Sequence, residues 1–154
     1  MTSVLIPRSL TLAMQEHSIH WPKGKERGGI LLGFRKVEAL QITSLTFPGP
    51  WDSATATRFF RSNRAHRMRA IREWLRSGMT IDWVGEWHTH PGSSASPSSV
   101  DQSSWRAIAK SSNKPMAYVI LSDAEMYVGI QFPGAREAQK LHQQEQDEAF
   151  VLFG

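Results

Sequence analysis

At 154 residues and 17.4 kDa, the chain is long enough for one compact domain with a buried core, and 40 % apolar against 21 % charged residues excludes a disordered chain. It contains no cysteine, which excludes disulfides and zinc–thiolate sites, so any metal must use His, Asp, Glu or water. A formal charge of +4 and a pI near 9.8 fit either plain solubility or an acidic partner.

The N-terminal "MTSVLIPRSL" has neither a basic start nor a long apolar segment. It is therefore not expected to be a secretion signal, and a cytoplasmic location is the expectation. No run approaches the roughly 18 apolar residues of a membrane span. "SVLIP" reads as a short strand, and "RSLTLAMQEHSIH" has helical spacing at Leu10, Ala13, Met14 and His17. "WPKGK" breaks the pattern. "GGILLGF" and "ALQITSLTF" read as strands, the first almost wholly apolar and so central. The segment Arg58 to Arg76 concentrates positive charge, with seven of the 18 Lys and Arg residues, and predicts an amphipathic helix ending at Gly78. Its apolar stripe takes in Phe60, Arg64, Met68, Ile71, Trp74 and Leu75. "TIDWVGEWHTH" is a strand, "PGSSASP" a loop, and a further helix runs from Ser98 to about Lys110. "MAYVILSD" and "EMYVGIQF" are two strands joined tightly at Asp123 and Ala124. Pro133 and Gly134 end a domain of residues 1–134. Residues 135–154 read as a polar helical tail whose apolar end, "AFVLFG", packs back on it. The alternation of elements predicts an α/β (α+β) fold, with a mixed β-sheet sandwiched between helices.

Residues two apart on a strand point to one face, so His88 and His90 present both rings together while Trp83, Gly85 and Trp87 turn away. Two imidazoles at that spacing can reach one divalent ion at about 2.0–2.1 Å. Asp101, at the start of the next helix, is a candidate third ligand. With zinc, such a set leaves a fourth position open for water, which is the pattern of a catalytic site. Ser98 and Asp101 also match the S-x-x-[DE] signature of a helix capping box, which accounts for them without any metal. By strand alternation Glu86 shares the histidine face, which nominates it as a base.

The run from His88 to Asp101 reads H-x-H, seven residues, Ser, two residues, Asp. This full signature resembles the JAMM (MPN-plus) zinc metalloproteases, and the resemblance extends over about residues 3–132. It implies a cytidine-deaminase-like MPN/JAMM architecture, zinc held by His88, His90 and Asp101, and Ser98 as hydrogen-bond donor to the oxyanion. It also implies that Glu26, in "KERGGILLGF", rather than Glu86 is the general base. Glu86 then becomes a carboxylate that orients a histidine ring, or simply an exposed one.

The implied reaction is hydrolysis of a peptide or isopeptide bond at the C-terminal tail of a ubiquitin-like or conjugated protein. The chain resembles small bacterial members found in mobile elements and beside E1/E2-like genes in antiphage operons that make cyclic-nucleotide signals, where a conjugated nucleotidyltransferase is the target. Two other readings stand beside this one. A catalytically silent MPN scaffold would lack metal residues, and this sequence lacks none. A nucleic-acid-associated basic domain would use the arginine helix, but no aromatic stacking platform accompanies those arginines. The expected partner is a protein, with neither nucleic acid nor membrane.

Overall fold

The computed structural model describes residues 2–20, 26–47, 53–54, 59–60, 63–92 and 94–154. Strand β1 (Ser3–Pro7) leads into helix α1 (Arg8–His20), followed by β2 (Gly28–Arg35) and β3 (Ala39–Leu45). Two-residue strands β4 (Ser53–Ala54) and β5 (Phe59–Phe60) pair with each other in a separate small sheet. Helix α2 (Asn63–Arg76), β6 (Asp82–Thr89), α3 (Ser99–Ser112), β7 (Met116–Leu121) and β8 (Met126–Gln131) complete the predicted series.

The large sheet has the order β10-β11-β1-β3-β2-β6-β7-β8-β9, with β10 and β11 described below. β1 runs parallel to β3 and β6 parallel to β7, and the other pairs are antiparallel. All six residues of β7 are buried, which is why it reads as one apolar run rather than an alternating one. Its odd-numbered residues join the core on one face, where Met14 of α1 packs with Val4, Ile6, Val119 and Trp87. Its even-numbered residues join a second cluster on the other face, where Trp105 of α3 stacks on Tyr118 at 4.3 Å between ring centroids. The sheet therefore lies between α1 and α3, as the alternation of elements predicts.

The tail corrects an expectation. Residues 135–154 form strands β9 (Gln139–Leu141), β10 (Gln143–Gln146) and β11 (Phe150–Phe153), not a helix. β9 pairs with β8, and β11 pairs with β1. Only His142 separates β9 from β10, and its backbone exchanges two hydrogen bonds with Gly154, at 2.9 and 3.0 Å. One short length of chain thus joins the two ends of the strand order. The apolar end does pack back, with Val151 and Phe153 in the same core as Met14.

Helix α2 brings a second correction. Its predicted apolar stripe does not face the sheet: Met68, Ile71, Trp74 and Leu75 are 41–61 % exposed. Phe60 belongs to β5 rather than to the helix, and the side chain of Arg64 lies outside the described residues. The anchor is polar instead. His66 is buried, and its Nδ1 lies 2.5 Å from Thr46 Oγ1, which also accepts the Ile30 N–H at 2.9 Å. Apolar spacing says which residues share a helix face, not which face meets the sheet.

Candidate metal centre

β6 carries His88 between β2 and β7, opposite Gly28 on one side and Ile120 on the other. Gly28 has to be glycine here. A Cβ at that position would stand 2.0 Å from the Trp87 carbonyl oxygen and 2.8 Å from His88 Cα. At the other end of β6 the register slips by one residue, since Leu31 opposes Gly85 but Leu32 opposes Trp83. This bulge at Val84 reverses the alternation behind it. Trp83 therefore packs with Trp105 and Tyr118 on the histidine face, against the expectation, while Trp87 lies on the opposite face as expected.

His90 lies one residue beyond the strand, where its N–H still donates to the Leu121 carbonyl at 2.8 Å. The two histidine Nε2 atoms are 3.0 Å apart. Asp101 completes a triangle, with Oδ1 3.3 Å from His88 Nε2 and Oδ2 3.2 Å from His90 Nε2. It does so while serving the capping box. The Ser98 N–H donates to Asp101 Oδ2 at 2.8 Å, and the Asp101 N–H donates to Ser98 Oγ at 3.1 Å. The capping and metal readings of Ser98 and Asp101 are thus compatible rather than competing. Ser98 is exposed, and its hydroxyl proton is not used by the cap.

Glu26 reaches the same place from the chain just before β2. Arg27 and Thr89 bridge the two segments, with the Arg27 N–H on Thr89 Oγ1 at 3.0 Å and the Thr89 N–H on the Arg27 carbonyl at 2.7 Å. Glu26 is buried, with Oε1 3.8 Å from His90 Nε2, close enough to act electrostatically but too far for a hydrogen bond. Glu86 is half-buried, opposite Ile30 and Tyr118, and does not belong to the converging set.

The local charges support one another. Burial disfavours a charged His90, but its bond to Asp101 and the charges of Asp101 and Glu26 outweigh burial and raise its pKa above the ordinary imidazole value. Burial likewise works against a charged Asp101, yet hydrogen bonds from His88, His90 and the Ser98 backbone hold its carboxyl well below the usual carboxylate range. Trp105 forms an apolar wall, its ring 6.3 Å from that of His88. Sequence reading missed Trp105, although it stands four residues after Asp101 and so on the same face of α3.

The two Nε2 atoms stand 3.0 Å apart beside an anionic oxygen, so with both nitrogens unprotonated they would offer two lone pairs to one cation. Ligands at about 2.0–2.1 Å in tetrahedral array stand roughly 3.3–3.4 Å apart, close to the 3.0–3.3 Å found here. Two nitrogens and one oxygen suit a borderline divalent ion such as zinc. Among the described residues, His88, His90 and Asp101 are the group able to hold one.

Residues 7–134 match the family of prokaryotic homologs of the JAB domain. A CD-NTase/cGAS isopeptidase of Pseudomonas aeruginosa is 33 % identical over 112 residues, 71 % of this chain and 70 % of that protein. A probable metalloprotease, y4qB of Sinorhizobium fredii, is 27 % identical over 110 residues, 70 % of this chain and 66 % of its own length. Among solved structures, protein DSY2949 from Desulfitobacterium hafniense shares the fold with a TM-score of 0.64 at 19 % identity, covering 88 % of this chain and 87 % of that one. The chain therefore belongs to the prokaryotic JAB-domain family, as a small bacterial protein of the JAMM isopeptidase type.

Proposed function

We propose that the protein is a zinc-dependent isopeptidase in which His88, His90 and Asp101 hold the metal, Glu26 is the general base and Ser98 the oxyanion donor. The observation that carries this reading is the convergence of two Nε2 atoms and one carboxylate within 3.0–3.3 Å, with the buried Glu26 beside them. The isopeptidase and metalloprotease names of the relatives support amide-bond hydrolysis on a protein substrate. Zinc bound there would supply a Lewis acid and lower the pKa of water towards about 7.

The chain's own groups account for the proton traffic. Glu26 takes a proton from the attacking water as the new C–O bond forms at the amide carbon. The Ser98 hydroxyl donates to the oxygen that becomes negative. Glu26 then passes the proton to the leaving nitrogen as the C–N bond breaks, releasing an amine and a carboxylate. The name CD-NTase/cGAS isopeptidase supports a conjugated nucleotidyltransferase as the substrate; its conjugation through the C-terminus, within antiphage signalling, is what the JAMM resemblance implies.

The test has two arms. Protein purified without chelators should contain close to one zinc per chain by elemental analysis, and His88→Ala should contain little. An isopeptide-linked or fused nucleotidyltransferase should be cleaved at its tail, and chelation should stop the cleavage while the fold persists. A wild type that neither carries zinc nor takes it up would refute the proposal.

A further inference from the structure

The net charge of the chain resides in one element. Helix α2 holds five arginines against one glutamate, a surplus of +4, and the remaining 13 basic and 13 acidic residues balance. That glutamate, Glu73, is half-buried and paired with Arg69 at 3.3 Å, while Arg67, Arg72 and Arg76 are exposed. An apolar stripe runs between the exposed arginines. Buried His66 and half-buried Ala70 mark the inner side of the helix. Met68, Ile71 and Leu75 recur three and four residues apart on the outer side, 44–61 % exposed. At about 3.6 residues per turn, Arg67 flanks this stripe on one side, and Arg72 and Arg76 on the other.

A single exposed leucine is ordinary, but an aliphatic stripe bordered by arginine has the make-up of a protein interface, where Met and Arg are enriched. A second copy of the chain fits poorly, because two such helices would set arginine against arginine. A nucleic acid would engage the arginines and leave the aliphatic stripe in water. The complementary surface is apolar with an acidic rim. The helix is also tied to the metal centre. His66 holds Thr46, and the Thr46 carbonyl accepts the Nε1–H of Trp87, one residue before His88, at 2.8 Å. Residues 77–81 then lead from α2 straight into β6. We propose that the outer face of α2 is the docking surface for the folded body of the protein substrate, through an apolar patch rimmed by Asp and Glu. An extended tail crosses about 3.3–3.6 Å per residue, so a few residues span from a body held on α2 to the metal centre. This rests on the isopeptidase reading above.

The test uses the full zinc-loaded chain and two substrates, an isopeptide-linked nucleotidyltransferase and a short isopeptide-linked peptide of the same tail. In Leu75→Asp, and in Arg67→Glu combined with Arg72→Glu, KM for the folded substrate should rise about 10-fold. Their kcat should stay near wild type, and the short peptide should be cleaved as by wild type. Added salt should raise the wild-type KM more steeply than that of the charge-reversed protein. All the changes are on the surface, so the variants should melt within a few degrees of wild type. A second readout needs no catalysis. Metal-free wild type should bind the intact conjugate in biolayer interferometry, and both variants should bind it about 10-fold more weakly. Equal KM and equal binding in wild type and variants would overturn the proposal, as would matching losses on the short peptide. A wild-type dimer that Leu75→Asp dissociates in sedimentation would assign the face to a second copy instead. Losses confined to binding of a duplex DNA would assign it to nucleic acid. If wild type cleaves neither substrate, the isopeptidase reading fails, while metal-free binding still decides whether α2 docks the substrate body.

Discussion

Asp101 meets two demands with one carboxylate. Oδ2 accepts the Ser98 N–H that opens α3 and also faces His90, while Oδ1 faces His88. The cap therefore fixes the carboxylate without consuming it, which is why a common helix-start signature and a metal signature can overlap in the same four residues. The identity of the base is a question at this same scale. Strand alternation nominates Glu86, the family resemblance nominates Glu26, and Glu26 is the one with an oxygen 3.8 Å from His90. A base acts in the transition state and is not a ligand, so its loss lowers kcat with little change in KM. Glu26→Gln should give folded, zinc-loaded protein with kcat reduced about 10²–10⁴-fold. Glu86→Gln should lose far less, about 10-fold to 100-fold if Glu86 supports a ligand from outside. Steady-state kinetics with zinc analysis on both variants would decide, and a dead Glu86→Gln beside a near-normal Glu26→Gln would reverse the assignment.

At the level of elements, strand periodicity was the most legible signal and helix orientation the least. β2, β6 and β7 follow from apolar content and alternation, until the bulge at Val84 turns Trp83 to the other face. A bulge is set by pairing with the neighbouring strand, and nothing in the local pattern of β6 announces it. α2 was recognised as amphipathic, but it meets the rest of the molecule through His66. Leu75, 61 % exposed, should then behave as a surface residue. Leu75→Ser should change stability by no more than about 0.5 kcal/mol, whereas a buried leucine cut to a small residue costs about 2–5 kcal/mol. Urea unfolding would separate the two. A pH effect belongs to the clip at the start of β6, where Arg35 and Lys114 both reach Asp82, at 3.0 and 3.3 Å. Burial alone would raise the Asp82 pKa, but these partners outweigh it and lower it. A carboxyl whose folded value lies below its unfolded value adds stability that is complete above the unfolded value, near ~3.9, and fades as the pH falls through the folded one. Asp82→Asn should therefore lower the urea midpoint at about pH 7 and leave it nearly unchanged at about pH 2. Because Asp82 is partly exposed, the loss should stay below about 1 kcal/mol.

For the whole molecule, the decisive feature is how the sheet ends, and that was the part least legible in the sequence. "AREAQKLHQQEQDEA" is rich in Ala, Gln and Glu, residues that favour helix. What makes it extended is non-local: β8 and β1 each offer an edge of unpaired backbone, and β9 and β11 take those edges. The signal that was present is period two, with Val151 and Phe153 buried and Leu152 between them half-buried. By contrast, the convergence of His88, His90 and Asp101 was legible almost in full, because its spacing is fixed within one strand and one helix turn. The closing strands therefore support a site they do not touch. They complete the core that also holds Trp87, one residue before His88. Phe153 is 5 % exposed, so Phe153→Ala should cost about 3–5 kcal/mol, the usual range for a buried aromatic cut to alanine. The loss should be global rather than confined to a frayed end, because β11 is the strand that covers β1 and, through β10, joins the chain leaving β8. Urea unfolding followed both by tryptophan fluorescence and by far-UV circular dichroism should show one shifted transition common to the two probes. A transition shifted by less than about 1 kcal/mol, or fraying seen by one probe alone, would mean that residues 150–153 are a loose appendage and that the core closes without them.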